Sequence, residues 1–220
     1  MDYLSDLSAD LYLDITGFAH ATPHWFQWLA EAWTEAGLLL FGVLFLAGWW
    51  RARAGSSGAM ALALLAPLAT AFGYVVSEAL KSVVDEERPC RAVAGAPAAL
   101  VPCPATGDWS FPSNHAAIAG AAAVALALSW RVIALLTVPM ALLMAFSRVF
   151  VGVHYPHDVT VGLLLGGATA FLVVKAAYRP VRALVETSRA SRNGVVVWCA
   201  GRGPRQDTST RPEGVRHGAY

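Results

Sequence analysis

Three short runs in this chain place cations, histidines and a carboxylate at spacings suited to handling a phosphate group. The first runs from Lys81 through Asp85, Glu86 and Glu87 to Arg88-Pro89. The second is Phe111-Pro112-Ser113-Asn114-His115, and the third leads from Ser147-Arg148 to His154 and Asp158. Lys81, Arg88 and Arg148 stand at the edges of apolar stretches, where an unpaired charge is costly. A phosphate or diphosphate would neutralise them, and the arginine fork matches phosphate oxygens in pairs. The second run reads as a helix start, with Ser113 or Asn114 near the N-cap. Free backbone N–H groups and the helix dipole at such a start favour an anion and oppose charge build-up in a transition state. His154 and Asp158 are four residues apart, so a helix beginning near Tyr155 or Pro156 would bring them into contact. A carboxylate on one ring nitrogen orients the imidazole and leaves the other nitrogen free to attack phosphorus, giving a phosphohistidine. His115, on a different helix, would protonate the departing oxygen and then activate water. No cluster has the spacing of a metal site, and the cations take the place a metal would hold. Neither a metal nor a cofactor is expected.

The elements that must bring these runs together are membrane helices. The 220 residues are 56% hydrophobic and only 14% charged, against roughly a quarter charged in soluble domains. Mean hydropathy is +0.50. A membrane helix needs about 20 mostly apolar residues, and five stretches come close: 34–50, 59–80, 113–130, 132–150 and 159–178. The expected fold is therefore all-α, an integral membrane bundle of about five transmembrane helices. The third stretch is rich in Ala and Gly, which let helices approach closely, so it is expected at the centre. An antiparallel bundle returns the three chemical runs to one membrane face. That face carries Lys81, Arg88, Arg91 and Arg148, against Arg51, Arg53, Arg131, Lys175, Arg179, Arg182, Arg189 and Arg192 on the other. The basic excess marks the second face as cytoplasmic and puts the chemistry outside. Net charge is +1, so no basic field points to nucleic acid.

Residues 1–33 hold no Lys or Arg. Their acidic opening lacks the basic start of a cleavable signal peptide. Leu4, Leu7, Leu11 and Ile15 recur at helical spacing, and Trp25, Trp28 and Trp33 follow. An amphipathic interfacial segment or a helix packed on the bundle would both fit. Residues 34–180 form the catalytic domain, and 181–220 a cytoplasmic, largely disordered tail that contains one short apolar run. Cys90 and Cys103 share a loop and can form one bridge on an oxidising face.

Plainer roles suit other residues. Arg51, Arg53, Arg131 and Lys175 read as anchors at span ends. His20, His24 and His217 read as surface residues, and the ring of His157 is expected to face away from His154 and Asp158 on a helix. Asp85, Glu86 and Glu87 read as solvated loop charges, one of which can pair with Arg91.

The three runs resemble the signatures of the type 2 phosphatidic acid phosphatase superfamily: Lys-x6-Arg-Pro, Pro-Ser-Gly-His and Ser-Arg-x5-His-x3-Asp. The spacings match throughout, over residues 81 to 158. The single departure is Asn114 where the family has Gly, which could narrow the pocket or add a donor. The resemblance implies that Lys81, Arg88, Ser113, Asn114 and Arg148 bind phosphate, with help from Ser147. It makes His154 the nucleophile, Asp158 its orienter and His115 the acid–base. It further implies a hydrolase of the bacterial cell membrane, acting on a lipid phosphate or diphosphate. Small members with this layout resemble undecaprenyl-diphosphate phosphatases. Relatives acting on decaprenyl-linked phosphoribose, phosphatidylglycerophosphate or phosphatidic acid share the motifs. A lipid phosphotransferase, or a non-enzymatic lipid-phosphate binder or transporter, would use the same cations. A vanadate-dependent oxidant shares the residue pattern, but those relatives are soluble. Oligomeric state is not encoded in these patterns.

Overall fold

The computed structural model describes residues 2–204, with side chains from residue 6 onward. The rest of the expected disordered tail and His217 lie outside the described residues. Those residues form helices and loops with no strand: α1 (Asp2–Ala21), α2 (His24–Ala52), α3 (Ser57–Lys81), α4 (Pro89–Ala92), α5 (Asn114–Ser129), α6 (Ala134–Phe150), α7 (Pro156–Arg189) and α8 (Gly194–Ala200). A 3₁₀ turn, Arg131–Ile133, leads into α6. The fold is an all-helical membrane bundle.

Four helices are long and apolar enough to cross a bilayer: α2, α3, α7, and α6 counted with its 3₁₀ turn. Their outward positions carry bare hydrocarbon, such as Leu39 (71% exposed), Leu135 (82%) and Leu164 (68%). Water would penalise that surface and lipid solvates it. The fifth expected span, α5, is only 16 residues. At 1.5 Å per residue it is about 24 Å long, short of the ~30 Å hydrocarbon layer. It can be short because it is enclosed, packing on α2, α3, α6 and α7. Ala116, Ala117, Ala119, Gly120, Ala121 and Ala122 are all buried along it. This is the central position its composition predicted.

The α5–α7 crossing depends on glycines. A Cβ on Gly166 would fall on the carbonyl of Ala117, and one on Gly120 would strike the Leu163 backbone. The close approach matters for function because it fixes the start of α5 beside the start of α7. The backbone N–H of Ser113 reaches the Asp158 carbonyl at 3.2 Å.

The ends of the chain depart from the sequence expectation. Pro23 sits at the N-cap of α2, which therefore runs 29 residues and begins ten residues before the apolar stretch. Gln27 closes the α1–α2 corner by donating to the carbonyls of Ala19 and Thr22. Helix α1 packs on α6 and α7, but not through Leu7 or Leu11. Its buried stripe is Ser8, Tyr12, Thr16 and Ala19, while Leu7 and Leu11 face outward. Tyr12 donates to the Gly152 carbonyl at 3.0 Å, which anchors α1 over the α6–α7 turn.

Residue 180 marks no boundary, because α7 runs through Pro180 to Arg189. The short apolar run 194–200 is ordered as α8, capped by Asn193, whose side chain accepts from Val195 N–H at 2.9 Å. Trp49 donates to the Cys199 carbonyl, and Arg189 to those of Ala200 and Gly55. The guanidinium of Arg53 lies against Trp49, Trp50 and Trp198. Arg53, expected as an anchor, and Arg189 thus staple this part of the tail to the bundle.

Candidate active site

The C-termini of α3 and α6 and the N-termini of α5 and α7 meet at one end of the bundle. Each supplies one expected group: Lys81 ends α3, His115 opens α5, Arg148 closes α6, and Asp158 lies in the first turn of α7. Arg88 precedes α4, and His154 lies in the turn between α6 and α7. Lys81, Arg88, Arg148, His154 and Asp158 are all buried. Two arginines and a lysine in so little water call for an anionic partner.

His154 is held from both sides. Its Nδ1 lies 3.2 Å from Asp158 Oδ2, and its Nε2 lies 3.1 Å from Arg88 Nη1. A guanidinium only donates, so Nε2 accepts and the ring proton sits on Nδ1, facing the carboxylate. This tautomer points a lone pair at the cations. Asp158 Oδ2 also accepts from Ser110 Oγ at 2.5 Å and from Tyr155 N–H at 2.8 Å. The Tyr155 bond is also the cap that starts α7 after Pro156 at N1. Burial pushes the His154 ring down to about 4, against the raising effect of Asp158 and with help from Arg88 and Arg148. The ring is therefore neutral at working pH. In ¹⁵N-labelled protein in detergent, the His154 nitrogens are expected to stay untitrated from pH 8 down to about pH 5. A transition near the ordinary histidine value would contradict this placement.

The cations are fixed by other groups. Arg88 donates from Nη1 to the Val153 carbonyl at 3.1 Å and from Nε to the Asp108 carbonyl at 2.7 Å. Its Nη2 lies 2.8 Å from Asp108 Oδ1, and Lys81 Nζ lies 3.5 Å from the same oxygen. Arg148 Nη1 donates to Thr34 Oγ1 at 2.9 Å, with Glu35 at 4.0 Å. Its buried Nε has no partner among the described residues, and neither has the buried Ser113 Oγ. His115 lies within range of the charges of Arg148, Lys81 and Arg88.

Some expectations are corrected. Asn114 does not project into the cation cluster. Its Oδ1 accepts from Ser77 Oγ at 2.7 Å and its Nδ2 donates to Glu78 Oε2 at 2.5 Å, so it ties α5 to α3. Ser147 Oγ bonds back to the Met144 carbonyl. The His157 ring does not face away. It stacks on Tyr155, its Nε2 meets Glu86 at 2.9 Å and Asp158 Oδ1 at 3.3 Å, and its Nδ1 meets Ser8 Oγ at 2.7 Å. Glu86 is thus bound by this histidine rather than free in solvent, while Glu87 pairs with Arg91. Glu86, His157 and Asp158 each offer one atom within a 4.8 Å group, the spacing of a metal site. His157 is hydrogen-bonded to Glu86 behind Asp158, whereas the buried Asp158 Oδ1 has no hydrogen-bond partner among the described residues.

Sequence reasoning missed Asp108, Ser110 and Thr34. Asp108 and Ser110 lie on the loop 93–113, which carries no periodic pattern. Cys90 and Cys103 are bridged across its start, with Cα atoms 6.1 Å apart. Arg91 adds donations to the carbonyls of Pro104 and Ala105. Ser110 N–H closes the loop on the Glu86 carbonyl at 2.7 Å.

A histidine lone pair facing Arg88, with a carboxylate behind the ring and Lys81 and Arg148 at the same end of the bundle, can attack a phosphate held by those cations. The family model for the PAP2 superfamily matches residues 61–182, more than half of the chain and the whole stretch from Lys81 to Asp158. The chain belongs to the PAP2 superfamily. Among similar PAP2 and other curated proteins is an undecaprenyl-diphosphatase of Sulfolobus acidocaldarius, 41% identical over 104 residues. The matched part covers 46% of this chain and 48% of that protein, so it spans about half of the relative's length. A decaprenylphosphoryl-5-phosphoribose phosphatase of Mycobacterium tuberculosis is 32% identical over 163 residues, covering 71% of this chain and 75% of that one. The crystal structure of LpxE from Aquifex aeolicus is similar in fold, with a TM-score of 0.60 at 24% identity, over 76% of this chain and 93% of that chain.

Proposed function

We propose that this PAP2 protein is a bacterial cell-membrane phosphatase that hydrolyses a polyprenyl diphosphate, undecaprenyl or decaprenyl, to the monophosphate. The observation that carries this reading is His154 fixed between Asp158 and Arg88, at 3.2 and 3.1 Å. The terminal phosphate would sit among Lys81, Arg88, Arg148 and the N–H groups at the start of α5. His154 Nε2 attacks phosphorus as the bond to the bridging oxygen breaks, and His115 gives its proton to the departing lipid phosphate. His115 then takes a proton from water, whose oxygen attacks phosphorus and breaks the P–N bond. Inorganic phosphate leaves and the neutral imidazole returns. Preorganised cations stabilise the charge spread over the equatorial oxygens in both steps.

An outward-facing site is supported by the greater number of basic residues at the opposite end. The Cys90–Cys103 bridge beside the site supports the same orientation, since disulfides persist in oxidising compartments. The longer match to the phosphoribose phosphatase favours, as a second reading, removal of a monophosphate from a decaprenyl-linked sugar.

The test is phosphate release by purified protein, with EDTA present. The panel is undecaprenyl diphosphate, decaprenylphosphoryl-5-phosphoribose 5-phosphate, phosphatidylglycerophosphate and phosphatidic acid. The highest kcat/KM is expected on the polyprenyl diphosphate. A preference for the phosphoribose substrate would move the assignment to the second reading. No release from any member, or label passing mainly to an acceptor other than water, would sink the hydrolase.

A further inference from the structure

Asp108 stands where a substrate phosphate would stand. Its Oδ1 lies 2.8 Å from Arg88 Nη2 and 3.5 Å from Lys81 Nζ, bridging two of the three cations of the cluster. The cations are buried, whereas the Asp108 side chain is 50% exposed, so the carboxylate reaches in from the solvent side. The same Arg88 donates from Nη1 to His154 Nε2 at 3.1 Å, the nitrogen whose lone pair must attack. One chain of contacts therefore runs from Asp108 through Arg88 to the attacking nitrogen.

We propose that Asp108 is an internal anion that occupies the phosphate site at rest, so that substrate binds by exchange with it. The inference rests on the phosphatase reading of this site. At rest, the carboxylate compensates Lys81 and Arg88, and Arg88 covers the His154 lone pair. An arriving phosphate offers more charge and more acceptor oxygens than a carboxylate, and so can displace it. As Arg88 turns to the phosphate, the lone pair is uncovered at the moment phosphorus is in reach.

The loop is built to make this exchange local. The disulfide and Arg91 fix its start, and Ser110 fixes its end to the Glu86 carbonyl and to Asp158. The backbone carbonyl of Asp108 holds Arg88 Nε independently of the side chain. The carboxylate can thus leave while the loop stays anchored and Arg88 pivots on its Nε bond. Burial works against ionisation of Asp108, but the bond and charge of Arg88, with Lys81 behind, hold its carboxyl below the ordinary range. It remains an anion across the pH range in which phosphate would compete.

A substrate then pays for displacing a carboxylate, which discriminates against weakly charged headgroups. The test is binding of inorganic phosphate to the purified full-length protein in detergent, by titration calorimetry at fixed ionic strength. Asp108→Asn is expected to bind phosphate about tenfold more tightly than the parent, the scale of one charge-assisted contact. Asp108→Ala should move in the same direction, and KM for the lipid should fall in both. Unchanged or weaker phosphate binding in both variants would overturn the proposal, because a residue that merely holds the loop loosens the site when removed. If the parent protein hydrolyses no lipid phosphate, the phosphatase reading falls, while the phosphate titration still reports on Asp108.

Discussion

Replacing His154 with alanine is expected to lower kcat/KM by on the order of 10⁴-fold or more, leaving the protein folded. The ring is buried and lies 3.2 Å from Asp158 and 3.1 Å from Arg88, so nothing else in the site presents a lone pair in the same place. The loss should appear in kcat, because the cations that hold the phosphate remain. Initial-rate kinetics on the best substrate, with circular dichroism as a fold control, checks this. A variant that keeps more than about a hundredth of parental kcat would remove His154 as the attacking group.

The second large effect is expected at Asp158. Asp158→Asn keeps the shape, but its amide nitrogen can donate toward Nδ1 and favour the opposite tautomer, turning an N–H toward the cations. A loss of about 10²- to 10⁴-fold in kcat is expected, with KM little changed. The carboxylate also caps α7 and accepts from Ser110 and Tyr155, so Asp158→Ala should cost stability as well. Comparing the two variants by kinetics and thermal unfolding separates the roles. Near-parental kcat in Asp158→Asn would show that the tautomer does not matter.

What was legible in the sequence, and what was not, follows from how each group acts. Lys81, Arg88, His115, Arg148, His154 and Asp158 were readable because each sits at or near a helix end, where spacing converts directly into position. The centrality of α5 was readable because small residues along a helix have one structural meaning in a membrane. Its shortness was not, because enclosure by four neighbours cannot be counted from one segment. Asp108 and Ser110 act from an irregular loop through contacts of 2.5 to 2.8 Å that no periodicity encodes. Asn114 was read as a site residue because its neighbours are. The nearby Ser77 and Glu78 on α3 turned it sideways instead. His157 was misdirected by treating its ring as if it stood on an isolated helix. The docking of α1 brings Ser8 to it, and the preceding loop brings Glu86. The sequence left open whether α1 lies at the interface or packs on the bundle, and it packs on α6 and α7. The face that meets protein is the one whose Tyr12 can bond Gly152, which leaves Leu7 and Leu11 for lipid.

The central claim is that phosphate passes through a covalent bond to one histidine. Its most direct test is rapid quenching of the protein with terminally ³²P-labelled polyprenyl diphosphate, followed by peptide mapping under alkaline conditions. Acid-labile, base-stable label on the peptide that carries His154, absent from His154→Ala, is the expected result. Label on His115 or another residue, or rapid hydrolysis with no labelled protein, would contradict it.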